Sequence, residues 1–239
     1  MKIRKFHLFV LLCIMVFGWQ QLPAQETLTE RYAAGYLEAV SEYAALYTGR
    51  SQQPLSFFAT NHQYFKEEKF VSGKLSYGGV VYPGVFLRWD LYRDEIEILT
   101  PDNNVILLKN EYIGFAEIYG YHIFYLNPDG FAGCPPAGNY IRLYLGDYLL
   151  IEKCINKIQS EVNPTLRHLV YKFVTSSTFY LQNNGVYYKI NNRRTLMKSL
   201  DGRHTELKQF IRANKLKYKH DAEKMVSEVV KQHEKLNQQ

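Results

Sequence analysis

Asp90 is the side chain in this sequence best placed to do chemistry. It lies in the β-rich run Val85-Phe86-Leu87-Arg88-Trp89-Asp90-Leu91-Tyr92, beside Trp89 and two residues from Arg88, on the same strand face as the arginine. An acid held in an apolar sheet has a raised pKa and can act as a general acid. Glycoside chemistry needs a second carboxylate, which Glu95 or Glu97 beyond the Arg93-Asp94 turn would supply. Cross-strand ion pairing on a solvent face explains the same residues without catalysis, and it is the favoured reading. The remaining chemistry-bearing side chains are dispersed. His62, His122, His168, His204, His220 and His233 form no i, i+4 pair and no tight cluster with Cys or Asp, which predicts surface or core-edge roles. Asp201 and His204 are close in sequence, but no serine or cysteine in a suitable context completes a triad. The chain holds no phosphate loop, nucleotide fingerprint, His-Glu-x-x-His helix or nucleophile elbow. No cofactor or metal is therefore expected.

Cys134 and Cys154 follow an apparent leader. Lys2, Arg4 and Lys5 form a positive n-region, residues 8–19 an apolar h-region, and Leu22-Pro23-Ala24-Gln25 offers a small residue near a cleavage point. Residues 1–25 thus read as a secretory signal peptide, too short in its apolar run for a comfortable span. No transmembrane span is expected after cleavage, and the expected location is periplasmic or outer-membrane-associated. Export permits a disulfide between Cys134 and Cys154. If Gly146-Asp147 turns a hairpin, however, Cys154 lies opposite Asn139, so the pairing stays open. No Cys-x-x-Cys spacing supports a metal site.

The elements that must position these residues read as an antiparallel meander. Residues 69–108 are the most regular stretch. Gly78-Gly79 supplies a hairpin turn; Val85, Leu87, Trp89 and Leu91 alternate with a mixed face; and Pro101-Asp102-Asn103-Asn104 turns the chain again. Residues 112–126 give two further strands, of which 120–126 is apolar or aromatic on both faces, which predicts either a central strand covered on both sides or one with a face lining an apolar groove. Residues 131–138 form an irregular loop with two prolines. Strands follow over 140–145, 148–158, 169–174 and 179–182, and Asn183-Asn184-Gly185 turns into 186–190. Ahead of the sheet, Thr27-Leu28-Thr29-Glu30 fits a capping box, and Leu28, Tyr32, Tyr36, Val40, Tyr43 and Tyr47 recur at helical spacing. After residue 190 the pattern turns helical, through Leu196/Met197/Leu200, Leu207/Phe210/Ile211 and Met225/Val229/Leu236, with the last turns expected to fray.

The resulting expectation is an α+β fold. A predominantly antiparallel meander sheet, strongly curved or partly closed, carries an N-terminal amphipathic helix and a C-terminal helical tail. Its parts are the leader 1–25, the helix 26–50, the β body 51–190 and docked helices 191–239, with 26–239 as one domain. The formal charge of +6 falls to +3 without the three bases of the leader. From residue 189 onward thirteen Lys/Arg face six Asp/Glu. In an exported chain with interspersed acids this reads as a solvated basic face rather than a nucleic-acid site.

Ala45-Leu46-Tyr47-Thr48-Gly49-Arg50, Asn61-His62-Gln63-Tyr64-Phe65, the Gly73-x-Leu-x-Tyr-x-Gly run, Val81-Tyr82-Pro83-Gly84-Val85 with Trp89-Asp90-Leu91-Tyr92, and Tyr187-Tyr188-Lys189-Ile190 together resemble a secreted or periplasmic family of Bacteroidetes-type bacteria whose function is unknown. The resemblance implies an exported envelope protein and transfers no active-site residues. Two functions follow as expectations. One is a non-enzymatic binding or assembly module for an apolar ligand or an envelope protein partner, with Tyr119, Tyr121, Phe131, Tyr140 and Tyr144 as the binding surface. The alternative is an envelope hydrolase using strand carboxylates such as Asp90.

Overall fold

Gly78 and Gly79, at φ of 59° and 85°, form the tight turn that only residues tolerant of positive φ make cheaply. They join β2 (Val71–Tyr77) to β3 (Val80–Asp90). The computed structural model describes Tyr43 and residues 46–127, 134–162 and 169–238. The expected leader 1–25, most of the 26–50 helix, Phe131 and the break at Asn163-Pro164 lie outside the described residues. Leu46–Gln239 forms one unit. Its chain enters through a single 3-10 turn, Leu46–Thr48, and the two-residue strand β1 (Arg50–Ser51). The helix expected to reach residue 50 thus gives way to a strand at Arg50, which pairs with Leu107.

The meander continues as β4 (Glu95–Leu99), β5 (Val105–Leu107), β6 (Ile113–Ile118), β7 (Tyr121–Leu126), β8 (Gly138–Leu145), β9 (Leu149–Val162), β10 (Leu169–Asn183) and β11 (Val186–Ile190). All eleven described strands join one antiparallel sheet in the order β1-β5-β4-β3-β2-β6-β7-β8-β9-β10-β11, open at β1 and β11. Val85, Leu87, Trp89 and Leu91 are buried as their alternation predicts. Strand β7 lies inside the sheet, but only Ile123 on it is fully buried, so its covered two-faced character is partial. The largest departure is β10. The sequence pattern predicts two short strands on either side of Thr175-Ser176-Ser177-Thr178; instead one 15-residue strand runs through them, in register with Asn156, Ile155, Cys154 and Lys153 of β9. Threonine suits a pleated surface, and a long neighbouring strand imposes pairing on a polar run that carries no hydrophobic signal.

Three helices follow: α1 (Arg193–Ser199), α2 (His204–Ala213) and α3 (Ala222–Asn237). Asn192 begins α1 with a capping box to Thr195, and Asp221 caps α3 through the Lys224 amide. Leu196, Leu207, Ile211, Met225, Val226, Val229 and Val230 form one apolar cluster with Tyr148, which precedes β9, and with Leu150, Phe179 and Leu181 of the sheet. The helices therefore cover one face of β9 and β10, while Tyr140, Ile151 and Tyr180 pack on the other. The end of α3 stays wound to Asn237 because His233 is fully buried, with its Nε2 2.9 Å from the Asp201 carbonyl. That anchor is invisible in a count of apolar residues.

Candidate functional site

A cavity of about 360 Å³ opens between the 61–66 segment, the end of β3, the β7–β10 surface and the start of α3. Period-two alternation along β9 puts Glu152, Cys154 and Asn156 on the helix-covered face. Ser177 stands opposite Cys154, and Thr175 opposite Asn156, on β10. The polar centre of β10 thus delivers its hydroxyls to this space. Signals for these residues existed in the sequence, an acid and a cysteine two apart on a strand and a Thr-Ser-Ser-Thr run, but nothing there joined them.

The roof is an irregular segment fixed by strand-like hydrogen bonds. Asn61 donates Nδ2 to the Phe173 carbonyl at 2.9 Å and accepts the Phe173 amide at 2.7 Å, replacing a strand neighbour on β10. The Phe65 amide donates to the Trp89 carbonyl at 2.9 Å, and the Leu91 amide to the Gln63 carbonyl at 3.0 Å. Asn156 closes the arrangement. Its amide donates to the Leu91 carbonyl at 2.9 Å, its Nδ2 to the Gln63 carbonyl at 2.8 Å, and its Oδ1 accepts the Thr175 hydroxyl at 2.6 Å. One asparagine therefore ties β9 and β10 to the far end of β3 and to the crossing segment.

Glu152 is the chemically distinctive wall residue. Only 4% of it is exposed. Its Oε1 accepts the Cys154 thiol at 3.3 Å, and the Ser177 hydroxyl lies 3.7 Å from the same sulfur. Its Oε2 is buried and has no partner, a costly state for a polar atom in a low-dielectric site. Burial raises the Glu152 pKa above the usual carboxylate range, and nearby Glu223 of α3 pushes it the same way. Burial pushes the Cys154 thiol up as well, with Glu152 adding to the effect. Cys154 is consequently held as a thiol that donates to Glu152 and is a poor nucleophile. Phe65 meets Tyr121 edge-to-face at 5.4 Å, and the Lys66 ammonium lies 4.2 Å from the Tyr121 ring centre. His62 Nδ1 accepts the Tyr64 amide at 3.3 Å.

Of the expected aromatic surface, Tyr121 forms a wall of this cavity. Tyr119 lies close by, with its ring 6.5 Å from Phe65. Tyr140 is fully buried on the opposite sheet face and donates to the Pro136 carbonyl at 2.6 Å. Tyr144 donates to Glu234 of α3 at 2.6 Å, a bond that pushes its phenol up to about 12. Cys134 and Cys154 are both free thiols.

Asp90 is fully buried rather than on a solvent face. Its Oδ1 accepts the amides of Tyr92 at 2.8 Å and Arg93 at 2.9 Å, so the carboxylate staples the β3–β4 turn. Glu97 is buried too, and takes the Arg88 Nε at 2.6 Å and the Gln52 amide at 2.7 Å. Burial raises its pKa against the lowering effect of Arg88. The Arg88 guanidinium lies 3.8 Å and 4.2 Å from the centres of the Tyr64 and Phe70 rings. Both strand acids are thus structural parts of the sheet. Among the described residues no three His, Cys, Asp or Glu side chains converge on a metal-sized site, and no helix is long and apolar enough to cross a membrane. No family model, curated protein or solved structure matches the chain.

Proposed function

We propose that this protein is an exported, non-enzymatic binding module that takes a compact, largely apolar ligand into the Glu152 cavity. The unpartnered Oε2 of Glu152 carries the reading. A buried carboxyl oxygen with no partner, on a residue that lines a cavity, gains most from a ligand that supplies its missing hydrogen bond. The volume of about 360 Å³ suits a small molecule, since ligand pockets span about 300–1,000 Å³. Phe65, Leu91, Tyr121 and Ile141 provide apolar walls, and the carboxyl fixes the orientation of one polar group. The competing hydrolase reading relied on Asp90, and both amides of the β3–β4 turn already engage that carboxylate. Export rests on the leader-like residues 1–25.

Native mass spectrometry after incubation with small-molecule extract of the cell envelope tests the proposal. The wild-type chain is expected to retain a bound mass that Glu152→Leu loses. A wild-type chain that retains nothing, or a Glu152→Leu chain that retains the same mass equally well, would sink it.

A further inference from the structure

The cations of the helical layer collect on one side of it. A cleft of about 760 Å³ at the α2–α3 connection is lined by Arg193, Arg212, Lys215, Lys217, His220 and Lys224 over an apolar floor of Ile211 and Leu216. An adjoining cleft of about 450 Å³ shares Arg193 and adds Arg194, Lys198 and Lys208, with no acid among its lining. Eight Arg and Lys side chains therefore border the two clefts against a single acid, Asp221. That acid accepts the Lys224 amide at 2.9 Å as the cap of α3.

The other acids of this region are engaged elsewhere. Glu206 pairs with Arg203 and Glu228 with Lys231. Glu234 accepts from Tyr144, Asp201 accepts from Asn183, and Glu223 lines the Glu152 cavity. None of the eight cleft cations forms an ion pair among the described residues. The connection that carries them is nonetheless tightly wound. The Leu216 amide bonds the Ile211 carbonyl at 3.0 Å, and the His220 and Asp221 amides both bond the Lys217 carbonyl at 3.1 Å. Like charges held close on an ordered backbone repel one another, and a multivalent anion relieves that repulsion.

We propose that the two clefts form a binding site for clustered phosphate groups, carried together on one soluble anion or side by side as phosphate headgroups on a lipid surface. Arginine forks match phosphate oxygens in bidentate geometry, and the lysines add point charge around them. The shared Arg193 lets one ligand bridge the clefts. The site is separate from the Glu152 cavity, so either can fail without the other.

Titration calorimetry of the full chain with inorganic pyrophosphate is the direct test, against sodium chloride of matched ionic strength. A parallel arm measures co-sedimentation with phosphatidylcholine vesicles with and without phosphatidic acid. The Arg212→Glu/Lys215→Glu variant changes exposed positions only, and an unchanged melting temperature confirms its fold. Saturable pyrophosphate binding, weakened about tenfold or more in the variant, supports a soluble phosphate ligand. Sedimentation that needs phosphatidic acid and is lost in the variant, without pyrophosphate binding, supports the same phosphate chemistry on a lipid headgroup. No response beyond matched chloride in either arm overturns the proposal, and so does a variant that binds as tightly as wild type.

Discussion

Glu152 couples the stability of the fold to pH. Its carboxyl has a pKa raised by burial, so the native state holds this proton more tightly than the unfolded chain does. Its contribution to stability is full below the ordinary carboxylate range and is lost as pH rises through the raised native value. Glu97, also raised by burial, acts in the same direction. Glu152→Gln is expected to flatten part of the decline in urea midpoint between the carboxylate range and neutrality, leaving the share due to Glu97. An identical pH slope in the variant would show that Glu152 is ionised without penalty, which would also remove the physical ground for its role in the cavity. Neither acid announces this in sequence. Glu97 alternates with Ile96 and Ile98 as an exposed residue would, and it is buried because Gln52 and Arg88 reach over it. Asp90 has an apolar sequence context, and that context is the inner side of a turn.

Among the elements, α1–α3 show how a polar sequence can still dock firmly. Few apolar residues mark each helix, but those few are fully enclosed against Leu150, Phe179 and Leu181. Leu207→Ala, at a position with no exposed surface, is expected to cost about 2–5 kcal/mol. Urea unfolding followed by circular dichroism should keep a single transition, because the helices share one core with β9 and β10. A separate early transition that leaves the sheet signal intact would make the helical layer an independent unit. Strand β10 teaches the converse lesson. Its middle, Thr175-Ser176-Ser177-Thr178, has neither hydrophobic alternation nor a turn former, so local pattern assigns it no structure. The adjacent β9 decides the matter by pairing with it residue by residue.

At the scale of the whole unit, a few hydrogen bonds tie parts of a long meander that are distant in sequence. Asn156 is central to them. Asn156→Ala keeps the backbone bond to Leu91 but deletes the side-chain bonds to Gln63 and Thr175. The expected cost is about 1–3 kcal/mol, the penalty for leaving buried polar groups unpaired. Hydrogen exchange should quicken at the amides of Phe65 and Leu91 and stay unchanged along the β10–β11 ladder. Uniformly faster exchange in both places would mean that Asn156 supports global stability without specifically holding the roof.

Local signals along the chain suffice to specify several elements. The Gly78-Gly79 and Asn184-Gly185 turns, the alternation of β3 and β4, the strand pair at 113–126 and the three C-terminal helices follow from φ preference and from periods of two and 3.6, which neighbouring residues fully encode. Asn183 and Val186 pair across their turn as that pattern requires. Which polar residues share a space depends on long-range packing. Glu152, Ser177, Phe65 and Glu223 come from four segments, and their meeting depends on strand order, on the bonds of Asn156 to the crossing segment and on the docking of α3. Asp90, the first candidate for chemistry, became a turn staple for the same reason. The burial of a carboxylate and the identity of its neighbours are properties of packing between distant segments, and no local pattern carries them.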